Sequence, residues 1–177
     1  MFFWPLLWAT AAATGGAVLD SAPTTLALNI TAINGRNGES VLECWQLKQK
    51  FTSSATPGTA GALSLTVGDA SKVTYTIIPG QFDGGLHNAP AAQLVHFISG
   101  VAHITLPSSK DEAWIHGGKY GLIAAVDTAA VSKTGHRTQY PSMADTIGLQ
   151  LPLNNWSAAN YTVLHSGACG EDELTAL

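Results

Sequence analysis

The sequence predicts an all-β protein, a single-domain antiparallel β-barrel of the cupin-like jelly-roll type with one open end. Apolar and polar side chains alternate over residues 26–31, 63–67 and 73–77. This period of two is typical of strands on a half-buried sheet. Glycine, proline, asparagine and aspartate separate the alternating runs at short intervals, as turns require. The best helical candidate, residues 124–132, is too short to change this assignment.

The same signals predict nine strands along the chain. They cover residues 26–31, 41–48, 63–67, 73–77, 92–98, 101–106, 121–127, 146–151 and 161–165. Residues 52–61, TSSATPGTAG, are rich in turn-forming residues, but strand-like sequence flanks them on both sides. We therefore expect a loop inside one domain at this point, and a loop that carries His87 before the fifth strand.

A tight turn at Ser99-Gly100 would join the fifth and sixth strands as a hairpin. A two-residue turn places His96 opposite His103, as a cross-strand pair on one face of the sheet. The other face is apolar and is expected to line the barrel. Its side chains are Gln93, Val95, Phe97, Ala102, Ile104 and Leu106.

The first residues carry the pattern of a secretory signal peptide. Residues 1–17 contain no charged side chain and hold the apolar run FFWPLLWA, followed by small residues. The run is too short to span a bilayer, which needs about 20 residues. We expect a signal peptide over 1–17 and a mature domain over 18–177, with secretion as the destination. A buried N-terminal strand or helix is the alternative.

Sequons and cysteines agree with a secretory route. Asn29, Asn155 and Asn160 each begin an Asn-x-Ser/Thr tripeptide that accepts an N-glycan when exposed. Cys44 and Cys169 are the only cysteines, and an oxidising compartment would join them in one disulfide. Two buried free thiols are the other outcome that the sequence allows.

Charge and composition exclude several classes of partner. The formal net charge is −4, and the eight Lys and Arg residues form no cluster. Nucleic acids and anionic membrane surfaces are therefore not expected partners, and no segment after residue 20 is apolar enough to span a membrane. Small molecules remain as the expected ligands. The sequence leaves the oligomeric state open, with a homodimer as one option.

Residues 93–106, QLVHFISGVAHITL, resemble the first conserved hairpin of the cupin superfamily. Aligning the last glycine of that motif with Gly100 puts its two histidines on His87 and Ala89, and its glutamate on Gln93. His136 is the candidate for the histidine of the second cupin motif. Mononuclear cupin sites use three imidazoles and a carboxylate. The resemblance therefore implies a cupin-like barrel, and we expect no metal or other cofactor.

The mature chain also resembles a group of small secreted fungal cupin-like proteins. The phrases GGLHNAP, FISGVAHITLP, DEAWIHGGKYGL, DTAAVSKTGH and VLHSGAC carry this resemblance. The group includes hetero-Diels–Alderases, also described as dehydratases, of tropolonic sesquiterpenoid biosynthesis. The resemblance implies a lyase or pericyclase. Such an enzyme would form an o-quinone methide from a tropolone or phenol and add it to a humulene-type terpene.

Four residues are expected to carry this chemistry. His87 or His136 would act as the general acid on the departing hydroxyl, because imidazole titrates near neutral pH. Gln93 would donate a hydrogen bond to the quinoid oxygen, and Lys119 would stabilise developing negative charge.

The olefin would lie against apolar and aromatic side chains, Val95, Phe97, Ile104 and Trp114. Trp114 and Tyr120 could also stack on a planar ring, and His116 could contact its oxygen. An ordinary β-turn with packing aromatics is the competing interpretation of residues 114–121.

Two other functions stay open. A metal-dependent cupin enzyme would hold stoichiometric metal, and a non-catalytic secreted protein would bind an apolar metabolite without turnover. The chain lacks the Gly-x-Ser-x-Gly motif of serine hydrolases. Asp111 and Glu112 are adjacent, so on a strand they would point to opposite faces and would not form a glycosidase pair.

Overall fold

The computed structural model describes residues 26–157 and 160–174, which form two large facing sheets and a small ribbon. The strands are β1 Ala27–Arg36, β2 Glu39–Lys50, β3 Thr52–Ser53, β4 Leu63–Ser64, β5 Thr74–Ile78, β6 Phe82–His87, β7 Gln93–Ser99, β8 Val101–Thr105, β9 Glu112–His116, β10 Leu122–Ala125, β11 His136–Tyr140, β12 Thr146–Pro152 and β13 Tyr161–Ser166. One sheet has the order β13-β2-β1-β10-β7-β12-β5 and the other the order β6-β11-β8-β9, while β3 pairs with β4.

The all-β prediction is confirmed. The described residues contain no α-helix, and none of their segments could cross a membrane as a helix. The closed antiparallel barrel is not found in this part of the chain, because no ladder joins the two large sheets. One pair, β1 with β10, is parallel. The predicted signal peptide, residues 1–17, lies outside the described residues.

Four strands escaped the sequence analysis, namely β6, β9, β11 and the two-residue β3, which lies in the predicted loop 52–61. In β9, Ala113 and Ile115 point inward, while Trp114 stands on the exposed face and breaks the expected apolar and polar alternation. Strand β6 carries two glycines and is largely exposed, so it has no apolar pattern. Edge strands with one solvated face give weak sequence signals for this reason.

The predicted hairpin at Ser99-Gly100 is wrong. Strand β7 pairs with β10 and β12, whereas β8 pairs with β9 and β11. Gly100 has φ 84° and turns the chain from one sheet to the other. His96 and His103 are therefore not a cross-strand pair. The side chains assigned to the inner face do point inward, because two strands joined by such a corner face each other across the core.

The core between the sheets holds the predicted apolar residues. We call it the inter-sheet core, and its buried members are Ile33, Leu42, Ala89, Val95, Phe97, Ala102, Ile104, Leu106, Ala113, Ile115, Ile123 and Ala125. Both sheets contribute alternate residues of each strand, as expected for two sheets packed face to face.

A second core covers the opposite face of the seven-stranded sheet. This outer core includes Ile30, Trp45, Leu94 and Ala124, and residues from 65–67 and 151–156 pack on it. Trp45 is fully buried, and its ring stacks on Tyr161 with centroids 3.5 Å apart. Because both faces of the central strands are covered, β1, β10 and β7 have nearly continuous runs of buried residues.

A buried carboxylate lies at the margin of the outer core. Glu43 accepts hydrogen bonds from Arg36 Nε at 2.7 Å, Trp45 Nε1 at 2.6 Å and Asn34 Nδ2 at 3.0 Å. Burial acts to raise the pKa of Glu43, but these three donors outweigh it and hold the pKa below its usual value. The charge is thus fully hydrogen-bonded inside the fold.

The predicted disulfide is present and the free-thiol alternative is wrong. Cys44 of β2 is bonded to Cys169, across a sequence separation of 125 residues. Cys169 N also donates to Thr31 Oγ1 at 3.0 Å, which fixes the C-terminal segment against β1. Closing so long a loop is worth about 5 kcal/mol in the chain-entropy model.

The three sequons lie in different surroundings. Asn155 and Asn160 are exposed, whereas Asn29 is partly buried in β1. The Asn29 amide donates to Glu173 O at 2.8 Å, and its Oδ1 accepts from Gln46 Nε2 at 3.2 Å.

Substituting the corner glycine should destabilise the fold strongly. A Cβ at position 100 would lie 2.7 Å from Thr146 Cα, a buried backbone atom that cannot yield. We expect Gly100→Ala to lower the free energy of unfolding by about 3 kcal/mol, from backbone strain and overpacking together. Gly118→Ala is the control, since its φ is 93° but no atom lies within 4 Å of the new Cβ. Equal urea midpoints for the two variants would contradict this account of the corner.

Glu43 should make stability depend on acidic pH. Because the pKa of Glu43 is lower in the folded protein, the unfolded chain binds the proton more tightly. The contribution of the ionised Glu43 to the free energy of unfolding is therefore complete above about pH 4.5. The contribution is lost as pH falls through the lower folded-state pKa. Glu43→Gln should therefore destabilise at pH 7 and converge with the wild type in acid. Urea unfolding at several pH values tests this, with Glu39→Gln, exposed on the same strand, as control. Parallel stability curves for the wild type and Glu43→Gln would contradict it.

Candidate functional site

A cavity of about 120 Å³ lies between the two sheets, at the end where β6 and β11 pair. Polar and apolar side chains share its walls. The polar members are His87, Gln93, His136, Thr138, Tyr140 and Gln150, and the others are Ile33, Ala89, Pro90, Val95, Phe97, Ile104, Ile123 and Ala125. Six of the ten sequence-predicted functional residues, His136 among them, therefore meet around one space.

A buried aspartate orients the histidine at the centre of this wall. Asp127 is fully buried, and its Oδ2 accepts a hydrogen bond from His136 Nδ1 at 2.8 Å. His136 is 4% exposed and begins β11. With Nδ1 engaged, Nε2 is the ring nitrogen left for a ligand. This is the arrangement that fixes a tautomer and supports an imidazolium during proton transfer.

Three further groups hold the aspartate in place. Ser40 Oγ donates to Asp127 Oδ2 at 2.6 Å and accepts from Ser132 Oγ at 2.8 Å. Ala89 N approaches Asp127 Oδ1 at 3.4 Å. Asn88 Nδ2 donates to the Asp127 carbonyl at 2.9 Å. The carboxylate therefore ties the start of β2, the start of β11 and the loop after β6 together.

His87 lies at the entrance of the cavity. Its ring centroid is 4.5 Å from that of His136, because the register of β6 and β11 places the two residues opposite each other. The Nδ1 of His87 donates to Gly85 O at 3.0 Å, which leaves its Nε2 available. His87 is exposed whereas His136 is buried. The pair can thus relay a proton between solvent and the cavity.

The remaining polar groups line the inner end of the cavity. Burial raises the pKa of the Tyr140 phenol, so it remains a hydrogen-bond donor across the neutral range. Gln150 Oε1 accepts from Thr76 Oγ1 at 2.8 Å, which fixes the amide of this side chain. Gln93 is buried and stands at the start of β7. These groups can bind the oxygen atoms of a small planar ligand.

Apolar side chains predicted for the substrate site do line the cavity. Val95 and Phe97 come from β7 and Ile104 from β8, and all three are buried. Phe97 also packs edge-on against Tyr140, with ring centroids 6.3 Å apart. Ile33 and Ile123 lie on the same wall as Val95, that of the seven-stranded sheet, and Ile104 belongs to the wall formed by the four-stranded sheet.

Four other predicted residues lie away from this cavity. Lys119 and Tyr120 line a separate apolar pocket of about 160 Å³ on the outer face of the seven-stranded sheet. The Lys119 ammonium lies 4.9 Å from the centre of the Tyr120 ring. Trp114 stacks on His103 on the outer face of the four-stranded sheet, and His116 is exposed on the same face. The cause is the parity of β9, whose inward positions are Ala113 and Ile115.

The residues present do not fit a complete cupin metal set. His87 and His136 offer two imidazoles, but Ala89 and Gln93 occupy the positions of the second histidine and the carboxylate. Two imidazoles and an amide are a poor set for a divalent transition metal. Elsewhere Cys44, His165 and Glu173 lie close together, but the Cys44 sulfur is in the disulfide.

No protein-family model matches the chain, and no curated protein matches it.

Sequence reasoning missed the residue that organises the site. Asp127 ends the run LIAAVD, an apolar strand that enters the core. A carboxylate directly after a buried strand must find partners, because an unpaired buried charge is very costly. That signal was readable. No sequence signal pointed to Tyr140 and Thr138 as site residues, because β11 was not predicted as a strand.

Replacing the buried carboxylate by its amide should be costly. Asp127→Asn keeps the shape but replaces one acceptor oxygen by an NH2 group. That group cannot accept the hydrogen bonds of Ser40 and His136 at the Oδ2 position, or that of Ala89 N at the Oδ1 position. We expect a loss of about 3 kcal/mol in the free energy of unfolding. Asp83→Asn is the control, because Asp83 is exposed although it too binds Arg137, Gln139 and the Gly85 amide. The loss in free energy of unfolding should be much smaller for Asp83→Asn than for Asp127→Asn. Equal losses by urea unfolding would show that Asp127 is not an organising residue.

Proposed function

We propose that the cavity is the active site of a cofactor-free lyase or pericyclase of natural-product biosynthesis. The observation that carries this proposal is the Asp127–His136 pair at the wall of a cavity that combines hydrogen-bonding and apolar side chains. A buried imidazole oriented by a carboxylate can act as a general acid and base. The resemblance to the hetero-Diels–Alderases supplies the substrate class, a hydroxymethyl tropolone or phenol.

Dehydration needs two proton movements. His136 in its protonated form gives the Nε2 proton to the substrate hydroxymethyl oxygen, and the carbon–oxygen bond breaks with release of water. The ring hydroxyl loses its proton to His87 Nε2, and its electron pair forms the carbonyl of the o-quinone methide. Proton transfer from His87 to His136 restores the starting state, and the sum is loss of one water. Gln93 and Tyr140 donate hydrogen bonds to the developing carbonyl oxygen.

The size of the cavity indicates which of the two substrates it would hold. About 120 Å³ suits a single ring, since an engineered cavity of ~150 Å³ accepts benzene. The planar ring would therefore occupy the cavity. The olefin would approach from a groove of about 270 Å³ that shares Tyr140 with the cavity, where Phe82 and Pro141 offer apolar contacts beside the polar Gln81, Asp83, His103 and Gln139. Holding both partners in reactive geometry contributes up to about 7–11 kcal/mol in the best cases.

The proposal also includes a fold relationship to the cupin-like jelly roll and a secreted location. Two facing sheets with a cavity between them support a relation to the cupin-like jelly roll, although the parallel pair of β1 and β10 departs from an all-antiparallel barrel. The disulfide between Cys44 and Cys169 supports an oxidising compartment and hence secretion.

The proposal predicts enzyme-dependent stereochemistry. Incubation of the purified protein with a hydroxymethyl tropolone and humulene should give one adduct enantiomer faster than the protein-free control, with or without chelator. His136→Gln should lower the rate by about 10²-fold or more, because it removes the proton donor. His165→Gln, on the exposed strand β13, is the control and should keep full activity.

Other outcomes have distinct meanings in the same experiment. A racemic product at the background rate would refute the proposed reaction. Activity lost with chelator and restored by metal would favour a metal-dependent enzyme instead.

A second function is favoured by the apolar walls of the cavity. A non-catalytic binder of a small planar metabolite would use Val95, Phe97 and Ile104 in the same way. It would retain the tropolone without turning it over, which equilibrium dialysis of the same sample detects.

A further inference from the structure

Strand β5 is an edge strand without the features that usually protect an edge. It ends the order of the seven-stranded sheet, and its only ladder partner among the described strands is β12. Its sequence, TYTII, contains no charge, glycine or proline. An uncharged edge with high β-propensity is a template for pairing with another chain.

The other three edges of the large sheets are protected. Strand β6 contains Asp83 and two glycines, and its register with β11 is irregular. Strand β9 carries Glu112 and follows Lys110 and Asp111. Strand β13 carries His165, which pairs with Glu173, and its register with β2 also shifts. Charges and bulges of this kind prevent edge pairing. Among these four strands, only β5 has neither a charge nor a bulge within the strand itself, although Lys72 and Pro79 flank it.

The exposed side of β5 continues into an apolar surface. Tyr75 is 57% exposed and Ile77 60% exposed. Across the ladder they face Leu149 and Ile147 of β12, on the same side of the sheet. Ile98 of β7 is also exposed. The outer core does not cover this end of the sheet.

We propose that β5 pairs with β5 of a second copy of this chain, so that the two seven-stranded sheets join about a two-fold axis. The pattern of the strand is self-complementary in this arrangement. Antiparallel pairing centred on Thr76 places Tyr75 opposite the second copy's Ile77, and Ile77 opposite its Tyr75. Aromatic side chains opposite β-branched ones are favourable cross-strand pairs. A two-fold interface requires the same patch on both chains, and β5 meets that requirement.

The proposed two-fold axis would also lie close to the cavity that contains His136 and Gln150. Thr76, at the centre of the pairing, donates through Oγ1 to Gln150, whose side chain lines that cavity. The pairing itself rests on the edge and its sequence, and it does not depend on the proposed reaction.

Light scattering of the full-length secreted protein tests the pairing. The wild type should have twice the mass of one chain. Ile77→Lys should raise the dissociation constant on the order of tenfold or more, because it places a charge against the second copy's Tyr75. Leu86→Lys is the matched control, since Leu86 is also 60% exposed and lies on the protected edge β6. That variant should remain dimeric.

A double variant tests the register. In the double variant Tyr75→Lys, Ile77→Glu, each lysine at position 75 faces a glutamate at position 77 of the second copy, so two opposite-charge pairs form. This variant should recover the dimer that Tyr75→Lys alone and Ile77→Glu alone lose. Circular dichroism and an intact disulfide establish that each variant is folded. A monomeric wild type at high micromolar concentration would overturn the proposal, as would a dimer that Ile77→Lys leaves intact. Equal dissociation by Ile77→Lys and Leu86→Lys would overturn it as well.

Discussion

The hydrogen bonds to the Asp127 carboxylate are the interaction on which the rest of this structure depends. They join three segments that are far apart in sequence, and they do so at the end of the inter-sheet core where the cavity opens. A fully buried carboxylate needs several donors to offset its loss of hydration. The donors that stabilise it are therefore fixed in place, and one of them is the imidazole of His136. Stability and the geometry of the site come from the same contacts.

The layering of the sheets decides which residues share the cavity. Because the seven-stranded sheet is buried on both faces, its side chains divide between the inter-sheet core and the outer core. Gly100 sends the chain from one sheet to the other, so β7 and β8 contribute Val95, Phe97 and Ile104 to opposite walls of one space. The same division separates Lys119 and Tyr120 from His136. The face of the sheet on which a side chain lies therefore decides whether it reaches the cavity, and closeness to the site residues along the sequence does not.

The sequence predicted the class of the fold and the inward face of β7 and β8, because a period of two reports which side of a strand is buried. It did not predict which strands pair. The Ser99-Gly100 turn is compatible with a hairpin and with a corner between sheets. The strand pairing distinguishes them, because β7 pairs with β10 and β12 whereas β8 pairs with β9 and β11. The cupin motif grouped His87, Gln93 and His136, and all three line the cavity, whereas the position of Asp127 depends on partners 9, 38 and 87 residues away. A carboxylate directly after a buried strand indicates that partners are needed, but the sequence does not show that Ser40 and Ala89 supply them.

The state of the His136 ring tests the central claim most directly. Nitrogen-15 spectra of histidine-labelled protein above the imidazole titration range report which ring nitrogen carries the proton. We expect His136 to be protonated at Nδ1, with Nε2 bare and facing the cavity, and we expect Asp127→Asn to abolish that preference. A neutral His136 protonated at Nε2 in the wild type would contradict the account, because the nitrogen that faces Asp127 would then carry no proton to donate.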